Sequence, residues 1–178
     1  NLTGLWGAEQ YSWQVSGKTG PTVIPRPGGN IIFLSKDGAA YELTTTGTKK
    51  SLGQTTGITN VVAPAVYVTA DLSTDENYLI YTTAQGTGNK LVVQKLEGSS
   101  SEGVAEDISS PAYGVVAYQD ALDDELLNIY AATMDGTLYY AVFDTTGDGA
   151  FDSSDHVVLG GPVKVPPLLS PAKDMLYV

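Results

Sequence analysis

The densest set of chemistry-bearing side chains lies in the run Asp144-Thr-Thr-Gly-Asp148-Gly149-Ala150-Phe151-Asp152-Ser-Ser-Asp155. Carboxylates fall at positions 1, 5, 9 and 12 of this stretch, a glycine at 6 and an apolar residue at 8. That spacing suits a hard cation such as Ca2+, which takes six to eight oxygens from a tight loop. Asp144 and Asp148 supply carboxylates from one side, Thr146 a hydroxyl or carbonyl, and Gly149 lets the chain turn so that the Ala150 carbonyl can ligate. Asp152 ligates directly or through water, Asp155 closes the ring, and Phe151 plugs the loop into the core. Without a cation or water between them, four carboxylates so close in sequence repel one another.

These residues resemble the calcium loop of EF-hand proteins, and more closely its dockerin variant, which also closes on Asp. The resemblance implies Ca2+ as a bound cofactor. Thr146 replaces the usual Asp or Asn at position 3, and the flanking runs Leu138 to Phe143 and His156 to Leu159 read as strands instead of helices. Further acids gather at Asp71, Asp75 and Glu76, and at Asp120, Asp123, Asp124 and Glu125, each group just ahead of an apolar hairpin. They read as solvated loops that could take further cations.

Other chemistries find little material. The single histidine, His156, sits too close in sequence to Ser153 and Ser154 for an ordinary Ser-His-Asp arrangement. There is no cysteine, so thiol nucleophiles, disulfides and Cys-based zinc sites are excluded. No phosphate-binding glycine loop, His-Glu-x-x-His or Gly-x-Ser-x-Gly motif occurs. The expectation is a protein without catalytic residues. Nine Lys and Arg against 20 Asp and Glu give a net charge of -11 over 178 residues, which opposes nucleic-acid phosphates and anionic membrane surfaces. The longest apolar stretch, Val61 to Val68, is interrupted by Pro64 and far too short to span a bilayer. The chain starts at Asn1 without a leader, which reads as processed or trimmed.

The elements that must hold the acidic loop read as β throughout. Three hairpins start at Asn30, Asn77 and Asn128, spaced by 47 and 51 residues, and each follows a Pro-led apolar strand at Pro21, Pro64 or Pro111. Asp37-Gly38 and Asp135-Gly136 separate apolar runs, which predicts two-residue type I′ turns. A fourth Pro-led strand, Pro171 to Val178, follows. Repeats of this length built of about four strands predict propeller blades. Asp37-Gly-Ala-Ala-Tyr-Glu-Leu and Asp135-Gly-Thr-Leu-Tyr-Tyr-Ala resemble the strand turns of quinoprotein-type β-propeller repeats, as do the pairs Thr46-Gly47 and Thr146-Gly147. The tryptophan of that pattern is matched only by Trp13, and Arg26 alone, with no Cys pair, leaves little to hold a quinone.

The expected fold is therefore all-β and antiparallel: one domain over 1–178, a small or incomplete propeller of about 3.5–4 blades. Its units would be 20–62, 63–110 and 111–165, with terminal strands in 1–19 and 166–178. A two-sheet β-sandwich is the alternative. The expected function is that of a non-catalytic, calcium-binding structural protein outside the cell or on its surface. It would act in assembly or adhesion by self-association or by contact with another surface protein. The strand from Asp174 to Val178 could add to a neighbour's sheet edge in a fibre, tube or surface layer. The alternatives are a ligand-binding propeller module of a larger adhesin, resembling those at pilus tips, and a carbohydrate-active accessory domain.

Overall fold

A computed structural model describes residues 19–178 other than 27–28, 63–65, 71–75, 86–87, 97–102, 147–148 and 174. Trp13, Asp71, Asp75 and Asp148 lie outside the described residues. Among those described, the regular structure is entirely β-strand, and every pairing is antiparallel.

Three sheets of four strands follow one another along the chain, each in simple sequential order. Sheet A holds β1 (Thr19–Pro25), β2 (Ile31–Ser35), β3 (Ala39–Leu43) and β4 (Lys49–Gln54). Sheet B holds β5 (Val66–Ala70), β6 (Glu76–Gln85), β7 (Gly88–Leu96) and β8 (Gly103–Ile108). Sheet C holds β9 (Ala112–Gln119), β10 (Leu126–Thr133), β11 (Thr137–Asp144) and β12 (Ala150–Val158). A hairpin of β13 (Leu168–Leu169) and β14 (Leu176–Tyr177) follows. The segment around Asp120 to Glu125, too short and polar for a helix, forms the β9–β10 connection.

Strand alternation explains the packing. Successive side chains of a strand point to opposite faces, and β6 is apolar on both: Tyr78 and Ile80 one way, Leu79 and Tyr81 the other, all at most 1% exposed. Leu79 and Tyr81, with Val92 and Leu96 of β7, pack on Ile32, Leu34, Ala40 and Leu52 of sheet A, joined by Ile58 and Val61. Tyr78, Ile80, Leu91 and Val93 pack on Leu127, Ile129, Ala131, Ala141 and Phe143 of sheet C. Sheet B thus lies between its two sequence neighbours. The B and C backbones approach most broadly at β5, β6 and β9, and more slightly at the outer strands β8 and β12.

The Asp-Gly turns differ from the expected type. Three residues, Lys36-Asp37-Gly38 and Met134-Asp135-Gly136, connect the strands, and only the glycines have positive φ (80° and 90°). This is the three-residue connection with a left-handed glycine, in place of the two-residue type I′ form. The physical reason is the hydroxyl before each turn. Thr133 Oγ1 accepts from Thr137 N–H (3.1 Å) and shares its one proton between the Thr137 carbonyl and the Asp135 carboxylate, each 2.6 Å away. Ser35 repeats the device with Ala39 and Asp37. The aspartate is therefore a local clamp that holds the turn, and Asp135 sits below the usual carboxylate range because hydrogen bonds from Ser109, Thr133 and Thr137 outweigh burial, which acts the other way.

Candidate functional site

The acidic run begins at the end of β11 and continues into β12. Asp144 pairs with Ala150 across the hairpin and Phe143 with Phe151, so the connection comprises only residues 145–149. Thr145 is buried and anchors this turn to the β9–β10 connection, its N–H and hydroxyl both donating to the Glu125 carbonyl at 2.8 Å. The Asp144 carboxylate accepts from Thr146 N–H (2.7 Å) and Thr146 Oγ1 (2.6 Å). Those two bonds hold its pKa below the usual value, so the group stays ionised. Gly149, at φ 76°, passes so close to Phe143 that a Cβ would come within 2.6 Å of its ring. Phe151 meets the Phe143 ring edge-on at 5.4 Å and packs against the core between sheets B and C.

The six expected ligands divide into two groups. Asp144, Thr146 and Ala150 belong to the turn, and Asp148 falls between them in sequence, outside the described residues. Asp152 is the extra residue of a bulge, since Val142 pairs with Ser153 and Phe143 with Phe151. Asp155 pairs with Tyr140 and accepts a hydrogen bond from His156 N–H at 2.7 Å. Extended chain rises about 3.3 Å per residue, which carries Asp155 away from the turn. Residues from Ala150 onward pair with β11 as strand β12. Among the described residues, no three His, Asp or Glu side chains converge tightly enough to hold a metal ion.

What the fold does bring together is the turn and the second acidic group. Leu126 pairs with Asp144, so Asp120, Asp123, Asp124 and Glu125 adjoin the Asp144 turn at one end of sheet C. Asp120 caps its own loop: its carboxylate accepts from Leu122 N–H (2.8 Å), Asp123 N–H (3.3 Å) and Asn128 Nδ2 (2.7 Å). The Leu122 bond leads in holding its pKa low. From sheet B, Glu76 is engaged by Lys95 Nζ (2.5 Å) and by the Tyr78 hydroxyl (2.7 Å). Burial, followed by Glu76, pushes the Tyr78 hydroxyl far above the ordinary tyrosine range.

Sequence spacing gave no sign of a cleft of about 450 Å3 between the outer strands β8 and β12. Glu106, Asp107, Tyr139, Ser154, Asp155 and His156 line it. His156 stacks on Tyr139 with ring centroids 5.6 Å apart, and Tyr139 Oη accepts from Ser109 N–H at 2.8 Å. Ser154 Oγ donates to Glu106 across the two sheets at 3.1 Å. The serine thus ties β12 of sheet C to a carboxylate of β8 in sheet B. No signal local to Ser154 could have revealed this, because Glu106 lies 48 residues away.

Set beside known proteins, the sequence matches no family model and no curated protein.

Proposed function

We propose that the chain is a non-catalytic extracellular or cell-surface module, built of propeller-type blades, that binds Ca2+ at its acidic end and serves assembly or adhesion. The blade reading is supported by three successive four-stranded meanders packed face to face, with sheets B and C closest near their first strands. Sheet B packs on a neighbouring sheet on both faces, which favours stacked blades over a two-sheet sandwich.

The observation that carries the calcium reading is the meeting of two acidic loops at one end of sheet C. The two loops supply Asp120, Asp123, Asp124, Glu125, Asp144 and Asp148, and Lys173, over the Tyr118 ring, offsets part of this charge at Asp120. The donors of such a site are Asp144, Thr146 and Asp148, with Asp123, Asp124 and Glu125 beside them. Asp152 and Asp155 are not part of it. With so few fixed ligands the affinity belongs to the weak, millimolar class that suits extracellular calcium. The ion would neutralise the acids and stabilise the fold by mass action.

Titration calorimetry of the 178-residue protein with CaCl2 tests this. Binding that is lost in Asp144→Asn and Asp148→Asn, and kept in Asp155→Asn, is expected. Absence of binding at millimolar calcium, or equal loss in Asp155→Asn, overturns the assignment.

A further inference from the structure

Sheets A and C each turn one face away from sheet B. On sheet C the cover of that face is the segment after β12. Pro166 lies against Gly114, Lys173 Nζ stands 5.1 Å from the Tyr118 ring centroid, and Val163 is 7% exposed. Gly114 and Tyr118 alternate with Val115, which faces sheet B, so the segment lies on the opposite side.

On sheet A, Ile24, Ile32, Leu34 and Ala40 point toward sheet B. Their strand neighbours Val23, Ile31, Phe33, Ala39, Tyr41 and Leu43 therefore point away. Strand register sets these side by side: Val23, Phe33 and Tyr41 form one row across β1, β2 and β3, and Ile31 pairs with Leu43. Ile31, Ala39, Tyr41 and Leu43 are only 5–8% exposed, yet they belong to neither interior cluster. Lys49 Nζ, 4.9 Å from the Tyr41 ring centroid, shields that ring in part, but one lysine cannot bury Ile31 and Ala39 as well. The outward face of sheet A is thus apolar and buried, and its cover lies outside the described residues.

Residues 1–18 lead straight into β1 of this sheet. The other stretches outside the described residues are of six residues or fewer, and all but 27–28 follow sheet A in the chain. The 1–18 segment carries Leu2, Leu5, Trp6, Tyr11, Trp13 and Val15 against two charges, Glu9 and Lys18. Tyr11, Trp13 and Val15 alternate with Ser12, Gln14 and Ser16, a pattern with one apolar side to bury. We propose that residues 1–18 dock on the outward face of sheet A of the same chain, their apolar side chains around Trp13 against the Val23–Phe33–Tyr41 row. The segment seals the first sheet of the stack as 159–178 seals the last, the capping that stacked units need at their ends. This goes beyond the calcium reading and uses none of its ligands.

Both tryptophans of the chain lie in this segment, so tryptophan fluorescence reports on it alone. In the 178-residue protein in EDTA, emission should be blue-shifted from that in urea, and the acrylamide quenching constant about threefold lower. Phe33→Asp should raise that constant about twofold with far-UV circular dichroism unchanged. Val23→Asp, at a position already 53% exposed on the same row, should raise it too and keeps the test open if Phe33→Asp fails to fold. Val158→Asp, 74% exposed on sheet C, should leave it as it is. Tryptophans as accessible as in urea overturn the proposal, and so does protection indifferent to both sheet A variants. Protection that is lost on dilution, together with a fall in mass by sedimentation, assigns the segment to a second copy and overturns docking within the chain. Failure to bind calcium leaves the docking untouched, which separates the two readings.

Discussion

The two faces of sheet B are buried by different means. Toward sheet C the contact is apolar and aromatic, with Tyr78 meeting Phe143 edge-on at 6.0 Å and its hydroxyl carried out to Glu76 at the rim. Toward sheet A, Tyr81 is wholly buried, and its hydroxyl stays inside among Thr55 Oγ1 and Gln94 Oε1, each 3.1 Å away. Gln94 Nε2 lies there without a hydrogen-bond partner among the described residues. Two tyrosines three residues apart on one strand thus meet opposite fates. One interface is fixed by shape, while the other must also satisfy polar groups in fixed positions. Near its edge, toward sheet A, the carboxylate of Glu42 binds Arg26 Nη1 (2.8 Å) and Asn30 Nδ2 (2.9 Å).

The contrast can be broken most severely on the apolar side. Phe143→Ala removes a ring that is 2% exposed and supports both Tyr78 and Phe151, and should cost about 3–5 kcal/mol in urea unfolding. A loss below about 1 kcal/mol would mean that the B–C contact is not close-packed. On the polar side, Tyr81→Phe should cost about 1–3 kcal/mol, because Gln94 is then left wholly unpaired. Adding Gln94→Leu should recover most of that loss, and failure to do so would contradict a hydrogen-bonding account.

A smaller effect depends on pH. Burial raises the Glu42 pKa, but the hydrogen bonds from Asn30 and Arg26 outweigh it and leave the group below its ordinary 4.5. The folded value lies below the unfolded one. Its stabilisation is therefore complete above the ordinary Glu range and is lost as pH falls through the folded pKa. The melting-temperature gap between wild type and Glu42→Gln should be widest near neutrality and shrink below pH 4.5. A gap constant with pH would sink the linkage. The smallest effect belongs to Lys90→Ala. Its partner Asp107 is 79% exposed at 2.6 Å, and such a pair should change unfolding by less than about 1 kcal/mol.

Much of the β architecture was legible because it is local. The pattern from Asn77 to Thr82 announces a strand by composition alone, and the strand β6 indeed spans it. The Asp-Gly turns were legible as turns but not in type, because the deciding group is a hydroxyl two residues earlier. The acidic run was legible as a concentration of charge. The places of its later acids were not, since the register of β12 on β11 puts Asp152 in a bulge and Asp155 opposite Tyr140, and register depends on both strands. Nothing near Gln94 or Tyr81 in sequence announces Thr55, and nothing near Ser154 announces Glu106. Contacts between sheets are set by three-dimensional placement.

The sequential strand order within each sheet has a consequence for how the chain is made. Every strand from β2 to β12 pairs within its sheet with strands adjacent in sequence, so among the described residues no sheet waits for a distant strand during synthesis. Each meander can form once its own four strands have left the ribosome and can then template the next, giving a fold that grows from the N-terminal side in steps.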